Sequence, residues 1–349
     1  MKLASGHEVT PLEGEELARQ ERDWTGYTEG MVRLHPGSWV FPATFTDYAD
    51  KIYNFEVKPS DVMVVTWPKC GTTWVQEVLW TMRNNPNLDH PQAALPVNSR
   101  VPFLEFDMLM RSKKLTPPGP DHPIMQGFNK LCPGKNPADG IFVQIGEATP
   151  EPRTLKSHLP LSLLPPALAN VGKVVYVARN PKDVLVSFCH HSRIFKNHNY
   201  VGSFEDFVKY FIDGDLVYGP YWQHLKEAWE KKDNPNLHFL FYEDLKENNM
   251  EELKRLDDFL GTKLTQEQLD NVARHTSFSQ MKARDSVLGG GGGMEAIFNM
   301  EIVNKDGGFF RKGEVGDWKG KYTPELEAKV NDWIKMRLSD LGIGFKYSM

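Results

Sequence analysis

The chain has 349 residues, 40% of them apolar, which is enough to bury one large α/β core. Its 41 basic and 46 acidic residues give a formal charge of -5, which argues against a general nucleic-acid or membrane-surface binder, because such proteins need a positive excess. Three cysteines, Cys70, Cys132 and Cys189, lie far apart without a CxxC pair. We therefore expect reduced thiols and neither a disulfide framework nor a zinc site.

The first residues of the chain lack the apolar core of a signal peptide. No run elsewhere approaches the roughly 18 apolar residues of a membrane span. We therefore expect a cytoplasmic protein without a membrane partner.

Short β-branched and aromatic runs alternate with helix-forming sequence from residue 62 onward, as in a parallel sheet. The predicted strands are 62–66, 173–178 and 238–242, with 153–156 as a further candidate. The predicted helices are 75–82, 184–192, 204–211, 221–231, 250–260, 266–274 and 324–338. Together they predict a single α/β domain in which helices flank a central parallel sheet.

The segment 68–74 reads Pro-Lys-Cys-Gly-Thr-Thr-Trp and joins the first of these strands to a helix. A buried strand, a tight turn and a helix with outward-pointing amides together can hold a phosphate group. The spacing departs from the nucleotide-binding GxxxxGK[ST], because Lys69 precedes Gly71. It resembles the P-loop-like phosphosulfate-binding loop of the sulfotransferases.

Four further segments resemble parts of the cytosolic sulfotransferase signature and occur in the order of that family. They are TLKSHLP at 154–160, YVARNPKDV at 176–184, HTSF at 275–278 and RKGEVGDWK at 311–319. The chain therefore resembles this family from about residue 44 onward, with arthropod members such as retinol dehydratase most similar. We divide it into an N-terminal extension, 1–40, and a sulfotransferase domain, 41–349.

The resemblance implies that the chain binds 3′-phosphoadenosine 5′-phosphosulfate (PAPS) as donor and releases 3′,5′-ADP. Lys69 would neutralise the bridging oxygen, while the amides of 71–74 and the hydroxyls of the two threonines would hold the 5′-phosphate. A second set would grip the 3′-phosphate and a third would bind adenine. The cofactor-binding residues are then Lys69, Cys70, Gly71, Thr72, Thr73, Trp74, Arg179, Ser187, Tyr242, Ser277, Phe278, Arg311, Lys312 and Gly313.

Sulfuryl transfer needs position, charge stabilisation and a proton acceptor near the acceptor hydroxyl. His158, at the end of a predicted strand, resembles the general base of the family. Lys156, two residues earlier, would project to the same side and share the transition-state charge with Lys69. Cys70 stands where the family often has serine, so a role for a hydroxyl there is in doubt.

The acceptor is expected to be a small hydroxylated molecule, apolar or phenolic. The resemblance places five residues in its pocket, and their alternative is ordinary core: Phe41, Phe45, Phe103, Phe106 and Met108. We expect no metal site, because adjacent residues of the cluster Cys189, His190 and His191 point in different directions on a helix.

Two segments interrupt the alternation of strands and helices. The proline-rich stretch 115–150 reads as a long loop or excursion, and 289–293 is a run of five glycines. We interpret both as mobile covers of the acceptor pocket, and a passive surface loop is the alternative.

Two other functions are compatible with parts of the sequence. In a retinol dehydratase, the sulfonated alcohol would eliminate instead of leaving as an ester. An ATP-dependent P-loop kinase or nucleotide-binding protein is less compatible, since GxxxxGK[ST] and an acidic Mg²⁺ ligand after a strand are absent from the sequence. A homodimer is possible, although the segment departs from the dimerisation pattern of the family, Lys-x-x-x-Thr-Val-x-x-x-Glu. The chain has Lys319 and Thr323 at the first two places but Pro324 and Ala328 where the pattern has valine and glutamate.

Overall fold

The computed structural model describes residues 1–111, 115, 118–284 and 294–343. The described residues contain the strands β1 Glu8–Pro11, β2 Met31–His35, β3 Trp39–Pro42, β4 Val62–Thr66, β5 Thr154–Ser157, β6 Lys173–Ala178 and β7 Leu237–Phe241. Strands β4 to β7 form one parallel sheet in the order β5-β4-β6-β7. The predicted α/β fold with a central parallel sheet is confirmed.

Helices flank this sheet and fill the connections between strands. They are α1 Gly14–Asp23, α2 Ala49–Tyr53, α3 Thr72–Asn84, α4 Val97–Arg100, α5 Asp107–Met110, α6 Pro123–Leu131, α7 Ile141–Ala148, α8 Leu168–Val171, α9 Pro181–Ile194, α10 Phe204–Asp213, α11 Tyr221–Trp229, α12 Tyr242–Glu247, α13 Asn249–Leu260, α14 Gln266–His275, α15 Phe278–Ala283, α16 Met294–Ile297, α17 Met300–Asp306 and α18 Pro324–Leu338. None of the helices described is long and apolar enough to cross a membrane.

Strand β4 is buried on both faces, and so the whole strand is apolar up to its last residue. Val62 and Val64 pack with α3, α13 and α14 in one hydrophobic cluster. Met63 and Val65, which point the other way, belong to the larger cluster on the opposite face. Both faces of the sheet are therefore covered, and its carboxyl edge is left to carry polar groups.

A second sheet precedes the central one. Strands β1, β2 and β3 pair antiparallel, and their apolar residues join the larger core cluster. The position between residues 40 and 41, where we divided the chain, lies inside β3. Residues of the N-terminal extension, among them Leu34 and Trp39, are fully buried against the rest of the protein.

The stretch 115–150 differs from the long loop that its prolines predicted, because it contains the two helices α6 and α7. Proline is the first residue of α6, a position where its missing N–H costs no hydrogen bond. Asp107 accepts from the backbone N–H groups of Ile141 and Phe142, at 2.8 and 2.9 Å, and so caps the start of α7. The glycine run 289–293 lies outside the described residues.

Candidate active site

A cavity of about 280 Å³ opens at the carboxyl ends of the central strands. This is the edge where open α/β sheets bind ligands. The predicted residues that line it are Lys69, Gly71, Thr72, Thr73, Trp74, Phe103, Phe106, Lys156, His158, Arg179, Ser187, Tyr242, Phe278, Arg311, Lys312 and Gly313. Segments far apart in sequence therefore meet at one place.

Five predicted site residues do not line the cavity. Phe41 and Phe45 stack on each other at 4.4 Å and are buried in the core. Met108 is also buried, and Cys70 is fully enclosed behind the loop. Ser277 is half-buried, and its hydroxyl lies 3.4 Å from that of Ser279.

The turn between β4 and α3 has two residues with positive φ, Lys69 at 69° and Gly71 at 101°. Gly71 precedes the first residue of α3, so the first amides of the helix are directed at the cavity. A Cβ atom on Gly71 would stand 2.5 Å from the ring of Tyr242. Glycine is therefore required here both by the backbone and by the aromatic ring behind it.

Arg179 follows β6 and holds two parts of the site together. Its guanidinium donates to the carbonyl oxygen of Lys69 at 3.2 Å and to that of Glu314 at 2.9 Å. The same guanidinium lies 4.2 Å from the ring centre of Tyr242. Its Nε is buried and has no hydrogen-bond partner among the described residues. An anion bound beside it would supply the missing acceptor.

The segment with Arg311, Lys312 and Gly313 is held against α9 by Asp183. The Asp183 carboxylate accepts from the backbone N–H groups of Gly316 and Trp318, at 2.8 and 3.1 Å. Arg311 and Lys312 both pair with Asp317. Three cations, Arg179, Arg311 and Lys312, thus gather at one end of the cavity, together with the carboxylates of Asp183 and Asp317.

Aromatic residues form the wall next to these cations. Trp74 and Tyr242 meet edge to face, with ring centres 5.7 Å apart. The ring of Phe278 lies against Gly313, where a Cβ would approach it to 2.3 Å. Flat rings beside an anion site suit a purine nucleotide.

His158 follows β5 and lies in the wall of the cavity. Its Nδ1 is 2.8 Å from the carbonyl oxygen of Thr66, which can only accept, so Nδ1 carries the proton and Nε2 is the basic nitrogen. Burial, with a smaller contribution from the charge on Lys156, lowers the pKa of His158 well below 6.5. The imidazole is therefore neutral at physiological pH.

The backbone of His158 is held on both sides. Its N–H donates to Glu105 at 2.5 Å, and its carbonyl oxygen lies 3.0 Å from Nε2 of His224. Glu105 also accepts from the hydroxyl of Ser157 at 2.9 Å. Sequence analysis did not identify Glu105 or His224, because neither stands near a recognised motif.

Two lysines lie close to this histidine. Lys156 Nζ is 3.9 Å from the ring centre of Phe103, and Lys69 Nζ is 4.2 Å from that of Phe309. Burial and the neighbouring cations Lys156, Arg179 and Arg311 lower the pKa of Lys69 to about 7. Lys69 makes no ion pair within the described part of the chain. The site therefore concentrates positive charge and is suited to a polyanion.

The remaining wall is mostly apolar. Phe103 and Phe106 line it, with ring centres 5.4 Å apart, and the ring of Phe103 meets that of His158 at 5.1 Å. Lining residues that sequence analysis missed include Leu109, Phe188, Phe195, Tyr218, Ile297 and Phe309. Phe309 lies two residues before Arg311 of the Arg-Lys-Gly segment, and this proximity in sequence is the signal that could have identified it.

No group of His, Cys, Asp and Glu side chains that could hold a metal ion occurs among the residues that the structure describes. Cys189 is buried, while His190 and His191 contact different neighbours.

A family model described as the sulfotransferase domain matches residues 59–342. The chain belongs to the sulfotransferase family. Mouse sulfotransferase 1A1 is 36% identical over 280 residues, which cover 80% of this chain and 84% of the mouse protein. Bovine sulfotransferase 1E1 is 34% identical over 304 residues, covering 86% of this chain and 91% of the bovine protein.

Solved structures agree with this membership. Retinol dehydratase, in complex with androsterone and the inactive cofactor PAP, is 29% identical and superimposes with a TM-score of 0.82. The match covers 98% of both chains. A second structure of retinol dehydratase, with retinol and PAP, gives a TM-score of 0.78. This sulfotransferase is a PAPS-dependent enzyme, as its family membership over most of the chain indicates.

Proposed function

We propose that this sulfotransferase transfers the sulfuryl group of PAPS to a hydroxyl of a small apolar or phenolic acceptor, with His158 as general base. The observation that carries this proposal is the hydrogen bond from His158 Nδ1 to the Thr66 carbonyl. It leaves a neutral, basic Nε2 in a wall shared by the cationic and the apolar parts of the cavity. A base in this position can take the proton of an acceptor hydroxyl.

The residues at the cationic end fit the donor. The α3 amides, Thr72 and Thr73 would bind its 5′-phosphate, and Arg179, Ser187, Arg311, Lys312 and Gly313 its 3′-phosphate. Trp74, Tyr242 and Phe278 would contact adenine. The buried Nε of Arg179, which has no hydrogen-bond partner among the described residues, supports this assignment.

Once the donor is bound, PAPS supplies the sulfuryl group and a leaving group that gains negative charge. Lys69 would stabilise that charge, and Lys156 would share in it because it lies two residues from His158 on the same strand end. Phe103 and Phe106 would hold the acceptor and exclude water. Glu105 would keep the His158 backbone in place.

The proposal is tested with labelled PAPS and a panel of phenols, steroids, catecholamines and retinoids. Transfer of label to at least one apolar hydroxyl compound, lost in His158→Ala, is expected. No transfer to any member by a folded enzyme that binds 3′,5′-ADP would contradict it.

A dehydratase outcome is the second candidate. It is favoured by the similarity to retinol dehydratase, which extends over 98% of both chains and so includes the stretch 115–150. An allylic alcohol separates the two outcomes: a stable sulfate ester indicates transfer alone, while an anhydro product with free sulfate indicates elimination.

The last alternative, an ATP-dependent enzyme, predicts that ATP competes with 3′,5′-ADP at similar concentrations. We expect weak competition, because ATP lacks the 3′-phosphate that the cluster around Arg311 would bind. The cytoplasmic location and a homodimer stay predictions, to be checked by fractionation and by sedimentation of the purified protein.

A further inference from the structure

The apolar end of the cavity contains polar atoms that nothing in the described structure satisfies. They are Nδ1 of His191, Oδ1 of Asn197 and the phenol oxygen of Tyr218. All three residues line the cavity, and Asn197 and Tyr218 are only 6% and 2% exposed. Leaving a buried polar group without a partner is costly, so three at one place call for a ligand.

Two of these residues, His191 and Asn197, lie next to a further histidine, His198. The rings of His191 and His198 lie 5.4 Å apart, and Asn197 directly precedes His198. The OH of Tyr27 hydrogen-bonds to Nδ1 of His198, and burial lowers the pKa of His198 to about 3. His198 is thus neutral, so this part of the wall binds an uncharged ligand without leaving a buried charge unpaired.

Tyr218 lines the same cavity next to its reacting end. Its ring lies 5.5 Å from that of His158, at 70°. Phe309 lies between His191 and Lys69. Its ring centre is 6.1 Å from that of His191 and 4.2 Å from Nζ of Lys69. The polar group is therefore one aromatic ring away from the catalytic side chains.

The surroundings of the polar group are apolar. Phe195 lies 4.2 Å from His191, and Phe188 and Ile297 line the same part of the cavity. A keto oxygen only accepts, so the donors of these residues would bind it. They are the Tyr218 hydroxyl, Nδ1 of His191 in the tautomer that carries its proton there, and Nδ2 of Asn197 after a half-turn of its amide. Polar atoms in such a wall orient a ligand, while the apolar surface binds most of it.

We propose that His191, Asn197 and Tyr218 form a second polar subsite, which binds an oxygen group of the acceptor remote from the hydroxyl that reacts. The inference rests on the proposed function and narrows its substrate class. The preferred acceptor is an apolar molecule with two oxygen groups, one at each end.

The test uses two acceptors that differ in one oxygen: androsterone, with a keto group at the end remote from its hydroxyl, and the analogue with a methylene group there. Affinity is measured by calorimetry on the enzyme saturated with 3′,5′-ADP, and kcat/KM is measured for sulfonation. One or two neutral hydrogen bonds predict a preference for androsterone of about fivefold to tenfold.

Two near-isosteric variants remove the polar atoms, His191→Phe and Asn197→Leu. In each variant, the ratio of the affinities for androsterone and its methylene analogue should fall towards one. Ile297→Val is the matched control. It shortens an apolar side chain of the same cavity without removing a polar atom, so the preference for androsterone should be unchanged. Affinity for 3′,5′-ADP verifies that each variant is folded.

Equal affinity of the wild type for the two acceptors would overturn the subsite, and this comparison needs no variant. Retention of the preference in both variants would overturn it as well. Preferential binding of androsterone by an enzyme that sulfonates no member of the acceptor panel would instead contradict the proposed function and leave the subsite standing.

Discussion

The protonation state of single residues decides what this cavity can do. His158 is kept neutral by burial and by the nearby Lys156 charge, so its base form is present at physiological pH. Lys69 shows the same effect: burial and three neighbouring cations destabilise its charged form. A bound polyanion would reverse that effect and restore the charge on Lys69.

We expect His158→Ala to lower kcat by about 100-fold or more, because the acceptor proton then lacks a positioned base. Affinity for 3′,5′-ADP should change little, since the histidine faces the acceptor. Turnover with labelled PAPS and calorimetry with 3′,5′-ADP measure the two quantities. His122→Ala changes an exposed histidine outside the cavity and serves as control. Near wild-type turnover of folded His158→Ala would exclude the base assignment.

The affinity for 3′,5′-ADP should depend on pH through Lys69. Its pKa in the free enzyme is about 7, and an anion beside it raises that pKa. The contribution of Lys69 is therefore complete below about pH 7 and is lost as the pH rises towards the pKa of the complex. Calorimetry between pH 6 and 9 should show falling affinity with proton uptake. Lys69→Met should remove this component, and an unchanged pH profile in that variant would assign it to another group.

At the scale of elements, the cationic end of the cavity depends on how a turn meets a neighbouring helix. The buried strand β4 fixes the position where the turn begins. Positive φ values at Lys69 and Gly71 then direct the first amides of α3 at the cavity. The start of α12 places Tyr242 against this turn. The turn and the aromatic ring that packs against it thus come from two elements that are about 170 residues apart in the chain.

Gly71→Ala should weaken 3′,5′-ADP binding by at least about tenfold, because the added Cβ must displace the Tyr242 ring as well as strain the backbone. Gly261→Ala is a matched control, since Gly261 also has positive φ, at 73°, but no atom lies within 4 Å of its Cβ position. Both variants should lose some thermal stability, and only Gly71→Ala should lose nucleotide affinity. Equal affinities in the two variants would show that the Tyr242 contact is unimportant.

For the whole molecule, the order of the central sheet brings the site together. Buried charges help to hold that order: Arg153, just before β5, donates to Asp61, just before β4, at 2.5 and 2.7 Å. Both side chains are at most 1% exposed. Arg153 also donates to the carbonyl oxygens of Glu56 and Gly146, so it connects the sheet to the helix α7.

Arg153→Leu should lower the free energy of unfolding by about 3 to 5 kcal/mol, because it leaves the Asp61 carboxylate buried without its partner. Urea unfolding followed by circular dichroism measures the loss. The exposed pair of Lys58 and Glu151 provides the comparison, and Glu151→Gln should change the midpoint little. A small effect of Arg153→Leu would mean that water or the neighbouring carbonyl groups compensate for the lost ion pair.

The sequence by itself determined the parallel sheet, the turn between β4 and α3 and most of the residues that gather at the cationic end of the cavity. These features depend on local chemistry: a buried strand must be apolar, a turn with positive φ needs glycine, and phosphate groups need arginine, lysine and free amides. Each of these features produces a short sequence motif, which can be recognised without knowing which other segments pack beside it.

The tertiary structure decided which residues form the apolar side of the cavity. Phe41 and Phe103 have the same side chain, yet one is enclosed in the core and the other lines the cavity. Glu105 and Asn197 became visible only when distant segments packed together. An apolar wall can be built from many residues in many orders, because hydrophobic contact has no direction and leaves no fixed spacing in the chain.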